Sequence, residues 1–436
     1  MEDNGIIFCM ENKKEIFKVL IKEFHESTLP QVIVRDLKLP QETNKIVTIT
    51  GSRRVGKTFY FYQLINELKK KVPFDQILYV NFEDDRILPL SFKELNGLLE
   101  AYFELYPENK DKELFFFFDE IQNVKEWELF VRRVYDKEKA RLFLTGSSSK
   151  LLSREIATSL RGRTLSYHLF PLSFHEFLRF RGLEIKPDFE YLSLRFNIKR
   201  LLEEFILFGG FPEVVLEEEG LKFKILKNYY DLLIYKDLAE RFSVRNIRLL
   251  KDLMKFLITN IAASFSTNSY HKSIEQELRV SRETIMEYLS HIEEIELVYL
   301  LPIFSYSLKV QQVNPKKIYS LDNGIRNAVA FKFSQDEGRL VENLVFQEIK
   351  RRELEVYYWK KKGEVDFVIK RDDKLIGINV SYGNEIKDRE EKSLWELKKE
   401  FGEKMQELIL ITKDIEENKE GIKFIPLWKW LLLRNW

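Results

Sequence analysis

A short glycine-containing segment near residue 50 constrains the fold of this chain more than any other feature. It matches the pattern G-x-x-x-x-G-K-[ST] and consists of Gly51-Ser52-Arg53-Arg54-Val55-Gly56-Lys57-Thr58. The β-branched run at 45–50 before it predicts a buried strand, and the apolar spacing of 59–71 after it predicts a helix. A strand, a glycine-containing loop and a helix in this order are the context that a phosphate-binding loop requires. The sequence therefore predicts that this segment binds the phosphates of a nucleotide.

Each part of this loop has an expected role toward ATP and Mg²⁺. Successive backbone N–H groups would surround the β-phosphate, and the N-terminus of the following helix adds its dipole. Lys57 is expected to reach the β- and γ-phosphates, and the Thr58 hydroxyl is expected to hold Mg²⁺. The predicted cofactors are therefore ATP and Mg²⁺, bound by the eight residues from Gly51 to Thr58.

A second apolar run, at 114–118, ends in two acidic residues, Asp119 and Glu120. One interpretation is a buried strand that reaches the surface at two solvated carboxylates. The other is a Walker B strand, because the run follows the phosphate-binding loop at the usual spacing. In that case Asp119 accepts hydrogen bonds from Mg²⁺-bound water, and Glu120 polarises the attacking water as a general base. We favour the Walker B interpretation, which makes both acids candidate catalytic residues.

Two further runs, at 77–82 and 141–145, predict more strands of the same sheet. Alternating strands and helices predict an α/β fold, a doubly wound parallel sheet with helices on both faces and the ligand at the carboxyl ends of the strands. Thr145 and the serines at 147–149 would lie at one strand tip, where a polar group contacts the γ-phosphate or the water. Alternatively, the serines form a turn that caps a helix at 150–156.

An arginine that stabilises charge on the γ-phosphate is also expected. The candidates are Arg53, Arg54, Arg161 and Arg163, and a surface ion pair is the alternative role of each. We favour Arg163. Residue spacing does not distinguish an arginine of the same subunit from one supplied by a neighbour, so an oligomer stays open.

Five motifs occur in order along the chain: the phosphate-binding loop, Asp-Glu-Ile-Gln at 119–122, Leu-Thr-Gly-Ser-Ser at 144–148, Gly-Arg at 162–163 and Phe-Gly-Gly-Phe-Pro at 208–212. With them the chain resembles archaeal and bacterial AAA-type ATPases that carry a C-terminal uncharacterised domain similar to restriction endonucleases. The resemblance covers nearly the whole chain. It implies an ATPase core at 1–170, a helical lid or linker at 171–245, a winged helix at 246–325 and a nuclease-like domain at 335–436.

The residues between 165 and 325 predict helices followed by a winged helix. Helices are expected over most of 165–240, then at 249–263, from a capping box at Ser273, and at 282–296 as the recognition helix. Strands at 297–304 and 316–321 would flank the wing. The recognition helix carries five glutamates against Arg282, which disfavours DNA because backbone phosphates repel acidic groups. The wing lysines Lys309, Lys316 and Lys317 compensate in part, so DNA binding stays open beside packing or a protein partner.

The C-terminal region has the layout of a PD-(D/E)xK nuclease, with a helix at 340–351 and strands at 357–359, 363–369 and 374–381. Asp366 fits the first metal-binding acid, and Glu342 fits an accessory metal ligand on the helix. The acid-x-Lys triplet expected on the next strand is replaced by Asn379-Val380-Ser381. A neutral amide is a poor ligand for a hard cation, and Ser381 cannot replace an ammonium. A degenerate domain is therefore favoured over an active nuclease.

Two features of this region leave alternatives open. Lys374 or Lys387 could supply the missing ammonium. The basic clusters at 350–352 and 360–362 could contact nucleic acid, although such charge runs are usually solvated faces.

The composition predicts a globular chain without a membrane span. Charged residues make up 32%, and no apolar run approaches the roughly 18 residues of a transmembrane helix. The N-terminus lacks a signal-peptide pattern, and the single cysteine, Cys9, excludes an intramolecular disulfide, so a cytoplasmic location is expected. The net charge of +1 means that any nucleic-acid surface is a local patch.

The sequence thus predicts an ATPase whose nucleotide state controls how its C-terminal modules engage a partner, either DNA or a protein. The alternatives are an ATP-regulated, metal-dependent DNA nuclease and a nucleotide switch or scaffold that hydrolyses ATP slowly.

Overall fold

The computed structural model describes residues 2–40, 43–146, 160, 162–185, 189, 194–330, 337–383 and 385–433. The chain divides into two compact units, Met1–Phe170 and Pro171–Trp436. The predicted serines at 147–149, the predicted helix at 150–156 and Arg161 lie outside the described residues. Among the helices that are described, none combines the length and apolar character that a membrane crossing needs.

The first unit is built on a five-stranded sheet in which every strand pairing is parallel. Its strands are β1 (Ile46–Thr50), β2 (Ile77–Asn81), β3 (Leu114–Asp119), β4 (Ala140–Thr145) and β5 (Thr164–His168), in the order β2-β3-β4-β1-β5. Its helices are α1 (Glu2–Glu26), α2 (Lys57–Leu68), α3 (Asn96–Leu105) and α4 (Trp127–Lys137). Strands β1 and β3 are buried along their whole length, which explains their unbroken apolar or β-branched runs. The predicted α/β fold with a parallel sheet is confirmed.

The fifth strand differs from expectation, because the residues from 165 onward were predicted to be helical. Strand β5 lies at the edge of the sheet and pairs only with β1 among the described strands. Its residues are partly exposed, so it lacks the continuous apolar run that marks a buried strand.

The second unit begins with helices and a small sheet. Its first helices are α5 (Phe174–Phe180), α6 (Leu194–Phe208), α7 (Pro212–Leu216), α8 (Glu219–Leu232) and α9 (Ile247–Thr259), with a π-helix at Leu233–Glu240. Helices α10 (Thr267–Ile274), α11 (Arg282–Glu294) and α12 (Leu308–Val313) accompany the strands β6 (Ser264–Phe265), β7 (Val298–Leu301) and β8 (Lys316–Ser320), in the order β6-β8-β7. The predicted helix start at Ser273 is wrong, because Ser273 lies in the last turn of α10 and its hydroxyl donates to the carbonyl of Tyr270.

The second unit ends in a six-stranded mixed sheet. The strands are β9 (Glu355–Lys360), β10 (Glu364–Arg371), β11 (Lys374–Ser381), β12 (Met405–Thr412), β13 (Glu417–Lys419) and β14 (Ile422–Pro426), in the order β13-β14-β12-β11-β10-β9. The accompanying helices are α13 (Asn323–Val329), α14 (Glu337–Arg351), α15 (Asp388–Phe401) and α16 (Leu427–Trp430). Strand β10 contributes Val365 and Val368 to one apolar cluster and Phe367 and Ile369 to another, so both faces of this sheet are covered.

The Phe-Gly-Gly-Phe-Pro motif joins α6 to α7 and contacts the start of α13. Gly209 has a φ of 73°, and a Cβ atom there would lie 2.1 Å from Asp322 Oδ1. The buried Asp322 carboxylate accepts the N–H groups of Gly210, Gly324 and Ile325 at 2.7, 2.8 and 3.2 Å. Burial raises the pKa of Asp322 to about 6, and these N–H groups oppose the rise. Glycine is needed here because the backbone must approach a carboxylate closely.

Candidate functional site

The carboxyl edge of the parallel sheet brings the predicted nucleotide-site residues together. The loop 51–56 follows β1, Asp119 ends β3 with Glu120 directly after it, and Thr145 ends β4. Because β4 lies between β1 and β3, Thr145 is placed between the loop and the two acids.

The backbone of the loop adopts conformations that require glycine. Gly51 and Gly56 have φ values of 145° and 94°, and a Cβ atom at Gly51 would lie 2.3 Å from the Leu169 carbonyl oxygen. Gly56 directly precedes α2, and the first turn of a helix leaves N–H groups without intrahelical partners. The Ser52 hydroxyl is buried and has no hydrogen-bond partner among the described residues. Unsatisfied donors at a helix N-terminus suit an anionic ligand such as a phosphate.

The Asp119 carboxylate is held by three hydroxyl groups. Thr58 Oγ1 donates to Asp119 Oδ2 at 2.6 Å, Tyr79 donates to the same oxygen at 3.1 Å, and Thr145 Oγ1 donates to Oδ1. Burial raises the pKa of Asp119, and the hydroxyls of Thr145 and Thr58 oppose that rise. Thr58 and Asp119 thus present adjacent hard oxygen atoms, and this donor set fits Mg²⁺ bound together with a nucleotide.

Lys57 and Glu120 face each other across the loop. The Lys57 Nζ atom lies 3.4 Å from Glu120 Oε1, and the two side chains are only 4% and 11% exposed. Lys57 also donates to the carbonyl oxygens of Gly51 and Ser52, at 3.2 and 3.3 Å. A buried ammonium in this position can attract the phosphates of a nucleotide, and it stabilises the charge of Glu120.

The pKa of Glu120 is lower than its usual value. Burial alone would raise it, but the Lys57 ammonium, a hydrogen bond from Gln122 and the charge of Arg53 together outweigh burial. Glu120 has a φ of 52°, and its backbone N–H donates to Thr145 Oγ1 at 2.9 Å. Glu120 is therefore ionised at neutral pH and held in a fixed orientation, as a general base must be.

Arg163 is not brought to this site. It directly precedes β5, where Ile46 at the start of β1 pairs with Thr164, and its Nε atom lies 3.3 Å from Asp136 Oδ1. The phosphate-binding loop follows the other end of β1, about 16 Å away along a five-residue strand. The preference for Arg163 as the γ-phosphate arginine of its own subunit is therefore corrected.

Arg53 lies closer to the reacting groups. Its Nη1 atom is 3.3 Å from Glu83 Oε1, and its charge contributes to the low pKa of Glu120. Arg53 is therefore placed to act on Glu120, the candidate base.

Two residues that support the site carry no sequence motif. Arg35 is buried in the extended segment before β1, and its guanidinium donates to the carbonyl oxygens of Val55 and Phe170, each at 2.8 Å. Tyr79, on the strand next to β3, donates to Asp119. Neither residue belongs to a motif that marks a nucleotide site in a sequence. Their roles depend on the order of the strands and on the path of the segment before β1, which only the structure shows.

In the second unit, Glu342 and Asp366 come together around a lysine ammonium. The Lys317 Nζ atom lies 2.7 Å from Glu342 Oε1 and 3.0 Å from both Glu364 Oε1 and Asp366 Oδ1. We call these four side chains the Lys317 cluster. Lys317 is 1% exposed, so the prediction that it adds positive charge to an exposed wing is wrong. In the described part of the chain, no three His, Cys, Asp or Glu side chains are arranged to hold a metal ion.

The strand that should complete a nuclease site has other contacts. Asn379 Oδ1 accepts the backbone N–H of Asp366 at 2.9 Å, and its amide donates to Ser393 Oγ at 2.8 Å. Lys374 begins β11, at the end away from Ser381, and its Nζ atom donates to the Glu403 carbonyl at 3.0 Å. Lys374 therefore does not replace the missing ammonium.

The first of the two basic clusters is engaged in internal contacts. Arg351 and Arg352 both pair with Glu348, at 3.3 and 3.0 Å. Arg351 also donates to the Pro171 carbonyl at 2.7 Å, and Arg352 donates to the Leu433 carbonyl at 2.8 Å. These two guanidinium groups stabilise the second unit.

The parallel sheet, the phosphate-binding loop and the acids at the end of β3 together define an ATPase domain of the AAA type. Residues 43–178 match the family model described as an AAA domain, and residues 199–336 and 337–430 match two domains of unknown function, DUF8612 and DUF4143.

The chain belongs to the family of MJ1544, an uncharacterised protein of Methanocaldococcus jannaschii. The two are 38% identical over 443 residues, which cover 98% of this chain and 97% of that protein. An uncharacterised protein of Haemophilus influenzae is 29% identical over 397 residues, 90% of this chain and 95% of its own length. Among solved structures, the Walker-type ATPase PABY2304 of Pyrococcus abyssi has a TM-score of 0.44 and 14% identity, covering 65% of this chain and 90% of its own.

Proposed function

We propose that this protein binds ATP with Mg²⁺ at residues 51–58 and hydrolyses it, with Glu120 as the general base. The observation that carries the proposal is the ionised, oriented Glu120 carboxylate, 3.4 Å from the Lys57 ammonium and next to the Thr58–Asp119 pair. A site that only binds a nucleotide needs the loop and the lysine. An ionised acid directly after the Walker B aspartate adds what hydrolysis requires.

The roles follow from the contacts of each side chain. Lys57 would bind the β- and γ-phosphates, and their charge would compete with Glu120 for its ammonium. Glu120 would then be free to accept a proton from the attacking water. Thr58 and Asp119 would hold Mg²⁺, which neutralises phosphate charge when bound. Thr145 would keep Asp119 and Glu120 in register, since its hydroxyl contacts both residues.

Arg53 is the candidate within the chain for stabilising the developing charge on the γ-phosphate. Its proximity to Glu120 and its place inside the loop support this role. The pair with Glu83 would have to open for Arg53 to turn toward a phosphate, and both side chains are exposed enough to do so, at 34% and 48%. Arg163 would act only on the site of a neighbouring subunit.

We further propose that the nucleotide state controls engagement of a partner by the second unit, and that this partner is a protein rather than DNA. Helix α11 is the proposed recognition helix. Its exposed charged side chains include two glutamates, Glu283 and Glu287, and one arginine, Arg282. Of the three lysines predicted to offset this acidity, Lys317 is buried and bound by carboxylates. A face with this charge repels a phosphate backbone.

The test is steady-state release of phosphate from ATP by the natural protein and three variants. Lys57→Ala should abolish both ATP binding and turnover, Glu120→Gln should abolish turnover while ATP still binds, and Lys110→Ala, an exposed lysine away from the site, should leave both unchanged. Undiminished turnover in Glu120→Gln would refute the role of Glu120. Adding duplex DNA at several salt concentrations tests the partner, because stimulation that falls with salt would favour DNA over a protein.

A further inference from the structure

The Lys317 cluster has the chemistry of a cation site that is already filled. A lysine ammonium has three N–H donors and no acceptor. Lys317 Nζ lies 2.7–3.0 Å from one oxygen of each of three carboxylates. These are normal lengths for charge-assisted hydrogen bonds, and they exceed the roughly 2.0–2.6 Å of oxygen ligands on Mg²⁺ or Ca²⁺. The ammonium therefore lies among three carboxylates, with a hydrogen bond to Asp366 and close ion pairs to Glu342 and Glu364.

The carboxylates also have partners other than Lys317. Each accepts one further hydrogen bond, and the donors are the Val380 N–H to Asp366 at 3.0 Å, the Lys360 ammonium to Glu364 at 2.8 Å and the Tyr319 hydroxyl to Glu342 at 2.7 Å. While Lys317 lies between them, the carboxylates cannot close around a smaller ion without breaking its contacts.

The charges of the cluster are consistent with a permanent ammonium. Burial alone would lower the pKa of Lys317, but Asp366, Glu342 and Glu364 raise it well above its usual value. Burial raises the pKa of Glu342, and the nearby Asp366 adds to the rise. Lys360 balances Glu364. The excess of negative charge around one buried lysine is thereby reduced.

The cluster also connects separate elements of the second unit. Lys317 comes from β8 of the three-stranded sheet, Glu364 and Asp366 from β10 of the six-stranded sheet, and Glu342 from α14. Strand β10 has a register shift between Val365 and Val368, and Glu364 and Asp366 both contact the same ammonium in this irregular part of the strand.

We propose that Lys317 is the resident cation of this cluster. Its ammonium lies between Glu342 and Asp366, the two acids predicted to be metal ligands, and it fastens β8 to β10 and α14. The natural chain therefore binds no Mg²⁺ or Mn²⁺ at Asp366, and replacing Lys317 by a small neutral residue turns the cluster into a metal site. The proposal shares no residue with the ATPase site and stands or falls separately from it.

The test measures Mn²⁺ binding to the full chain without nucleotide, by the loss of the free-ion electron paramagnetic resonance signal. The natural protein and Asp366→Asn should give the same titration. Lys317→Ser should bind one additional Mn²⁺ per chain, and Lys317→Ser combined with Asp366→Asn should lose it. Lys317→Met is the matched control, since it removes the charge but keeps the side-chain volume, and it should bind no additional ion.

Thermal unfolding provides the second measurement. Lys317→Ser should unfold at a lower temperature than the natural protein in chelator, and Mn²⁺ should restore much of the loss in that variant alone. Mn²⁺ binding by the natural protein that Asp366→Asn removes would overturn the proposal, as would a folded Lys317→Ser variant that binds no additional ion. If Lys317→Ser does not fold, the comparison of the natural protein with Asp366→Asn still shows whether the natural cluster binds Mn²⁺ at Asp366.

Discussion

Replacing Thr145 by valine should damage both stability and catalysis, because one hydroxyl joins Asp119 and Glu120, the two proposed catalytic acids. Thr145 Oγ1 donates to Asp119 Oδ1 and accepts the N–H of Glu120 at 2.9 Å, and Thr145 and Asp119 are fully buried. Valine has nearly the same shape but neither donates nor accepts. A buried N–H without a partner and the loss of a hydrogen bond to a carboxylate should together cost about 2–4 kcal/mol of unfolding free energy.

The measurement compares Thr145→Val with Thr145→Ser, which keeps the hydroxyl and loses only a methyl group. For a unit of this size the valine variant should unfold roughly 5–12 °C below the natural protein. Its turnover of ATP should fall about 10–100-fold because Asp119 and Glu120 lose their common support, while serine should stay within a few-fold of the natural rate. Equal stability and equal turnover in the valine and serine variants would refute this reasoning.

Three further substitutions test the phosphate-binding loop, the support of Asp119 and the C-terminal acid Asp366. Gly51→Ala should abolish ATP binding in a titration with a fluorescent nucleotide, because the new Cβ atom would lie 2.3 Å from the Leu169 carbonyl oxygen at a φ of 145°. Gly97→Ala, in α3, is the control. Its Cβ atom would make only ordinary contacts, so this variant should bind ATP normally. Tyr79→Phe removes one of the hydroxyls on Asp119 and should raise the Mg²⁺ concentration needed for half-maximal turnover several-fold, with little change in nucleotide affinity in the absence of metal. Asp366→Ala should leave nuclease assays with Mg²⁺ or Mn²⁺ unchanged, and cleavage by the natural protein that this variant lacks would favour the nuclease alternative.

Much of the candidate nucleotide site could be predicted because its motifs are local in the sequence. Gly51, Gly56 and Lys57 lie within seven consecutive residues, and the spacing of the motif alone indicates their roles. Asp119 and Glu120 are marked by the abrupt change from a buried apolar strand to two acids. Parallel strands end at one edge of a sheet, so the sequence predicted that these groups meet.

Residues whose role depends on strand order could not be placed in this way. The preference for Arg163 came from its motif alone, and its position at the wrong end of β5 follows from the pairing of Ile46 with Thr164. The edge strand β5 itself has exposed residues, which remove the apolar signal of a buried strand. Arg35 makes its two backbone hydrogen bonds through contacts with residues 20 and 135 positions away.

In the second unit, the role of Lys317 likewise could not be predicted from the sequence. The sequence indicated Glu342 and Asp366 as a pair and noted a missing ammonium at position 381. It placed Lys317 near the wing, with Lys309 and Lys316, as a lysine that offsets the acidic recognition helix. Only the packing of β8 against β10 and α14 brings that lysine to the acids.

A single turnover of bound ATP shows directly whether Glu120 is the base of an ATPase. Radiolabelled ATP is bound to an excess of protein, Mg²⁺ is added, and samples are quenched over time for the natural protein and for Glu120→Gln. The account predicts that the natural protein converts the bound ATP to ADP and phosphate, while Glu120→Gln retains it as ATP for much longer. Conversion at the same rate in both proteins, or in neither, would contradict the assignment of Glu120 as the base of an ATPase.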